Sequence, residues 1–148
     1  MEQPAIEILS SHRIMTVATI RPDGWPQATI VGYASEGWSL YFLIYRDSQK
    51  FENIQRDNRV AITVGNEPSE LKKIKAVFAG CEVFEITNLA EKAHAWELLA
   101  QRHPNLTDLA PPLESEVATM VARCKHVSFL DYSQGLGHTE SITVPGPF

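Results

Sequence analysis

Three apolar, β-branched runs succeed one another within the first 45 residues: RIMTVATI (13–20), QATIVGY (27–33) and WSLYFLIY (38–45). Only RPDGWP and the turn SEG separate them, and neither is long enough for the helical crossover that parallel strands need. In Pro22-Asp23-Gly24 the proline fixes φ and the glycine admits positive φ, so the first connection reads as a hairpin turn. The spacing predicts a three-stranded antiparallel meander and argues against an alternating βαβ order.

The rest of the chain extends this pattern. RVAITV (59–64) reads as a fourth strand and KKIKAVFAGCEVFEIT (72–87) as a long fifth, with Gly80 predicting a bulge or bend in its middle. HVSFLDY (126–132) reads as a sixth. Helical periodicity is clearest in NLAEKAHAWELLAQRH (88–103), where Asn88 and Glu91 form a capping pattern and Leu89, Ala93, Trp96 and Leu99 form a stripe. A short helix is predicted over 4–12, with Ile6 and Leu9 on one face. A loop containing Pro and Asn follows residue 103, and a second helical stretch is predicted over 113–122. The tail 133–144 is polar and is expected on the surface or across a partner. The expected architecture is mainly β with peripheral helices (α+β): six antiparallel strands closing a small barrel, in one domain over 1–148.

Composition narrows the function classes. A net charge of −5 and a pI near 5.5, without a basic run, argue against nucleic-acid binding. Glu2 and Glu7 stand where a signal peptide would be basic, and no apolar run approaches the roughly 20 residues of a membrane span. The expectation is a cytoplasmic protein that does not engage a membrane. Cys81 and Cys124 are the only cysteines and lack CxxC spacing, which disfavours a disulfide framework or a zinc cluster. Cys81, in AVFAGCEVF, reads as a buried thiol. HExxH and GxSxG are both absent, and no metal site or catalytic side chain is predicted.

The charged connection RDSQKFENIQ (46–55) carries the chemistry. Ser48 is a good N-cap, with Phe51 and Ile54 giving the following turns an inward face. A helix starting there offers free N–H groups and the positive end of its dipole. Lys50 adds a cation in the first turn, where it is unfavourable for the helix itself, and Arg46 stands just before. An anion would relieve that conflict. A plain cap with a solvated lysine would give the same spacing.

The ordered pieces around this connection resemble the pyridoxamine-phosphate-oxidase-like flavin-binding split-barrel family. They are G-x-P (Gly24, Pro26), the aromatic third strand, S-x-K-x-x-N (Ser48, Lys50, Asn53), and a D/N-x-R-V-x-x-x-V strand (Asp57, Arg59, Val60, Val64). V-F-A-G (77–80) and D-Y-S-x-G-x-G-H (131–138) are similar to later parts of members. The resemblance implies an FMN site. Ser48 and Lys50 would hold the phosphate with the backbone of Gln49, and Thr29, Ile30 and Val31 would lie beside the flavin ring. Ile44 and Tyr45 would lie near the ring or ribityl chain, and Lys75 would face the flavin. It also implies a homodimer with flavin at the interface, and a small-molecule electron donor or acceptor. Trp38, Phe42 and Trp96 read as packing residues, Asn53 as a tie within the corner, and His138 as a tail residue within possible reach of a neighbouring flavin.

An FMN-dependent oxidoreductase of unknown substrate is the leading expectation, since the cofactor supplies the redox chemistry. The R-x-H motif of true pyridoxamine phosphate oxidases does not occur in the chain. The alternatives are a flavin-binding or stress-response protein without turnover, or a relative using a deazaflavin or haem.

Overall fold

The computed structural model describes residues 2–108 and 113–146. Its elements in chain order are α1 (Glu2–Ser11), β1 (Ile14–Ile20), β2 (Pro26–Gly32), β3 (Ala34–Glu36), β4 (Ser39–Tyr45) and α2 (Gln49–Arg56). They continue with β5 (Arg59–Gly65), β6 (Lys75–Glu85), α3 (Leu89–Arg102), β7 (Val117–Asp131) and β8 (Thr139–Thr143). The strands form one eight-stranded sheet in the order β2-β1-β5-β6-β7-β4-β3, with β8 also paired to β7. Every pairing is antiparallel. The sheet curls around one core that includes Met15, Val17, Phe42, Ile62, Val77 and Met120, and β2 approaches β4 without pairing. The result is a split antiparallel barrel with helices at its margin. No helix of the described residues is long and apolar enough to cross a membrane.

The class agrees with the sequence reading, while the strand count is eight rather than six. The turn expected at SEG contains the short strand β3, and the polar tail supplies β8 against β7. The helix expected over 113–122 is instead the start of β7. Its Glu, Ala and Met content suits a helix, but Ala118, Met120 and Ala122 alternate into the core between β4 and β6. Tertiary pairing overrides local propensity here. Residues 109–112 of the loop expected before it lie outside the described residues.

The meander holds only for β1 and β2, whose register runs from Ile14↔Gly32 to Ile20↔Pro26. Its turn is as expected: Gly24 has φ of 86° and its N–H donates to Arg21 O at 2.9 Å. After β2 the chain crosses the barrel rather than returning beside it. Tyr33 makes the crossing, fully buried, with its hydroxyl donating to Leu9 O at 2.6 Å. Burial pushes that hydroxyl above the ordinary tyrosine range. Arg102 lies against the Tyr33 ring and donates to Leu9 O and His12 O, at 3.2 and 2.7 Å. It thereby satisfies carbonyls at the end of α1, whose own last turn holds no basic residue.

Two smaller expectations shift by rotation of a helix face. In α3 the buried residues are Ala95 and Leu99, and Leu89 is 78% exposed. In α1 they are Ala5 and Leu9. The bulge expected at Gly80 is present: Gly80 pairs with His126 and Cys81 with Cys124, leaving Lys125 without an opposite residue. Cys81 and Cys124 are buried free thiols. The hydrogen bond to Cys124, reinforced by burial, holds the Cys81 thiol far above its usual range.

Candidate functional site

The corner after β4 is built from its cap outward. Ser48 Oγ accepts from Phe51 N at 3.2 Å and donates to Tyr45 O at 2.7 Å, so one hydroxyl both starts α2 and closes the turn behind it. Ile54 fixes the inner face of α2 in the core. Asn53, with no exposed surface, ties the helix to the sheet. Its Nδ2 donates to Thr19 Oγ1 at 3.0 Å and Gln27 Oε1 at 3.2 Å, and its Oδ1 accepts from Gln49 Nε2 at 2.8 Å. Asn53 is thus the tie expected of it, joining α2 to β1 and β2.

Arg46 is withdrawn from any anion site. Its guanidinium makes a two-pronged pair with Glu85, at 3.0 and 2.8 Å, and its Nε donates to Glu114 O at 2.8 Å. It holds the corner against the end of β6 and the start of β7, a structural role. The hollow of about 340 Å³ beside it contains Asp47 and Glu116, whose carboxylates disfavour an anion.

Lys50 is the contrasting cation. It makes no ion pair or hydrogen bond among the described residues, and partial burial pushes its ammonium below the ordinary lysine range. The N–H groups of Gln49 and Lys50, in the first turn of α2, likewise have no partner among the described residues. On β2, two residues beyond the Gln27 that Asn53 bonds, Thr29 Oγ1 is buried and unpartnered among the described residues. The corner therefore presents two backbone donors and a cation without a direct ion pair, with Glu52 of the same turn directed to Gln49 Nε2 at 3.4 Å.

Of the other residues singled out in the sequence, Ile30 is 67% exposed on the outer face of β2 and Tyr45 is 64% exposed at the end of β4. Val31 and Ile44 face the core, so a ligand would meet their backbone rather than their side chains. Along the split, β2 is the terminal strand of the sheet and β4 carries β3 only over Ser39–Tyr41. Unpaired backbone groups therefore face the gap from both sides. The structure brings residues of β2, β4 and α2 to this gap. Lys75 starts β6 opposite Asp131 of β7, beside Gly65, which shares a hollow with Ile30, while Tyr45 pairs with Val117 at the far end of the fifteen-residue β7. That is about 45 Å of strand path.

A cavity that the sequence did not reveal opens at the other end of the split. It has a volume of about 360 Å³ and is lined by Gly32 of β2, Leu43 of β4, Leu99 of α3, and His103, Asn105 and Leu106 beyond α3. Its one sequence signal is His103-Pro104 closing the helix. That signal does not show that the histidine meets Gly32, which lies more than seventy positions earlier.

A family model described as pyridoxamine 5'-phosphate oxidase matches residues 1–130. No curated protein sequence matches the chain. Among solved structures, a heme binding protein from Mycobacterium smegmatis superposes with a TM-score of 0.78 at 20% identity, over 94% of this chain and 57% of that one. ChuZ of Campylobacter jejuni gives 0.80 at 15% identity, over 96% and 58%. An FAD-binding protein from Mesorhizobium loti gives 0.70 at 20% identity, over 87% and 93%. The chain spans little more than half the length of the first two. At these identities the likeness is one of fold.

Proposed function

The chain belongs to the pyridoxamine 5'-phosphate oxidase family, and from that premise we propose that it is an FMN-binding oxidoreductase acting on a small molecule. The observation that carries the reading is the corner at α2, where a partly desolvated Lys50 without a direct ion pair stands beside two free N–H groups. A phosphate monoester fits that donor set in charge and in number of acceptors. Lys50 and the N–H groups of Gln49 and Lys50 would bind the phosphate, and the Ser48 hydroxyl would turn from Tyr45 O to join them. Tyr45 would flank the ribityl chain. Thr29 Oγ1, buried without a partner, would gain one from the ring, with the backbone of Ile30, Val31 and Ile44 along the gap. Bound there, FMN supplies hydride or electron transfer, and the chain positions it and excludes water.

The same reading includes a second copy of the chain. One row of side chains crosses the outer face of the sheet through Ile30, Thr16, Thr63, Phe78, Ser128 and Ser141. Ile14 and Ile30 are 59% and 67% exposed, and small residues such as Ala18, Ala28 and Ala61 lie beside them in register. Such a face suits close docking of a homodimer.

Replacing Lys50 with Ala should lower FMN affinity about ten- to a hundredfold, the weight of a charge-assisted contact, with the fold intact by circular dichroism. Unchanged flavin content in that variant would sink the assignment. The M. smegmatis and M. loti proteins are described as binding heme and FAD. The visible spectrum and the mass of the ligand released from the purified protein separate those outcomes from FMN and from a deazaflavin.

A further inference from the structure

The cavity beyond the split is walled mainly by Gly32, Leu43, Leu99 and Leu106, with His103 and Asn105 as its polar groups. Among the described residues, none of those lining it bears a formal charge of the carboxylate, ammonium or guanidinium type. At about 360 Å³ it lies in the range of small-molecule sites, which run from roughly 300 to 1,000 Å³.

His103 is held in one orientation. It closes α3, its backbone N–H donating to Leu99 O at 2.8 Å. Its ring packs closely on Gly32, where a Cβ would lie 3.1 Å from Cε1. Nε2 stands 2.9 Å from Tyr33 O. A carbonyl oxygen only accepts, so Nε2 carries the proton, and in the neutral form of the ring Nδ1 is left as the acceptor. Nδ1 has no partner among the described residues. The anchor for that tautomer is Tyr33, which is itself fully buried.

We propose that this cavity binds a neutral, largely apolar molecule of one or two rings that donates a hydrogen bond to His103 Nδ1. An anionic ligand is disfavoured, because the cavity provides it no cation and its polar acceptor would face it. The cavity opens between β2 and β4, the strands that flank the proposed flavin. That its occupant is the flavin's reaction partner rests on the flavin reading; that the cavity binds a neutral donor does not.

Naphthol, naphthalene and naphthoate separate these requirements, with binding to the purified protein followed by calorimetry and probe fluorescence. Naphthol should bind more tightly than naphthalene by about fivefold to tenfold, the weight of one hydrogen bond, and naphthoate more weakly than either. His103→Leu should erase the preference for naphthol and leave naphthalene bound. Leu106→Trp, which fills the cavity, should weaken both. Naphthoate binding as tightly as naphthol, or naphthol binding unaffected by Leu106→Trp, would overturn the proposal. Should His103→Leu fail to fold, the naphthol-to-naphthalene ratio in the unsubstituted protein still decides it. The same titrations are repeated with FMN present. Displacement of naphthol by FMN would put the ring itself in the cavity and overturn the proposal. Failure to take up FMN while naphthol binds as described would remove the flavin reading and leave the cavity assignment standing.

Discussion

Two strand ends in this molecule use the same device with opposite completion. After β7, Asp131 Oδ1 accepts from Ser133 N at 3.0 Å and Ser133 Oγ at 2.6 Å, and Oδ2 accepts from Gln134 Nε2 at 3.1 Å. The carboxylate is 6% exposed, and the Ser133 hydrogen bond above all holds it below the usual carboxylate range. After β4, Ser48 accepts from Phe51 N, but no carboxylate completes the turn, and Lys50 and two N–H groups remain without partners among the described residues. In one corner a carboxylate accepts from the turn itself; in the other, Glu52 turns to Gln49 Nε2 and two N–H groups of the turn are left without partners among the described residues. Turn N-termini favour negative charge whatever its source. The difference therefore separates a corner that serves folding from one suited to a ligand.

The comparison can be broken most directly by giving the second corner an anion of its own. Ser48→Asp keeps an N-cap and places a carboxylate where the phosphate would sit. FMN affinity, read by quenching of flavin fluorescence, should fall about a hundredfold or more, and the flavin-free chain should melt no lower than the parent. Retained affinity would remove the distinction between the corners.

A smaller effect is expected at the other corner. Asp131→Ala should cost about 1–2 kcal/mol in urea unfolding, the weight of a lost cap. Its pH dependence has a definite sign. The folded carboxyl titrates below its unfolded value, so its contribution is complete above pH about 4 and is lost as the pH falls through the folded value. The stability gap between parent and variant should therefore close in acid. A gap independent of pH would deny the carboxylate its role. The smallest effect belongs to Lys50→Met. Desolvation lowers the folded ammonium's pKa, so the charge costs stability at neutral pH, and the cost lifts as pH rises past the folded value and is gone above the unfolded one. The flavin-free variant should show a slightly higher Tm than the parent, by a margin that shrinks in alkali. A lower Tm at neutral pH would mean that the ammonium has a stabilising partner.

Much of this was legible because it is local. The caps at Ser48 and Asn88 each act within three residues, and both make the predicted side-chain bond. The bulge at Gly80 and the Pro-Asp-Gly turn are also short-range signals. What escaped depends on distant partners. Arg46 looked available because Glu85, which occupies it, is 39 residues away. Residues 113–122 looked helical because their strand character comes from β4 and β6 on either side. The order of β2 and β4 turned on where Tyr33 is buried, and His103 acquired its setting only from Gly32 across the split. Periodicity reports which face of an element is apolar, and is silent about which neighbour covers it.

Asn53 has a consequence of a different kind. Turning its amide over would oppose donor to donor at Gln49 and acceptor to acceptor at Gln27, so only one orientation satisfies the buried group. Rocking α2 against β1 and β2 would therefore break the Asn53 bonds to Thr19 and to Gln27 together. On the flavin reading, that tie would set the span between a phosphate at α2 and a ring beside β2 as the chain folds, like the rungs of a gauge cut before the workpiece arrives. A ligand of the right length would find its two seats already at their working separation. One that is longer or shorter by a bond would have to distort itself, because the frame does not yield.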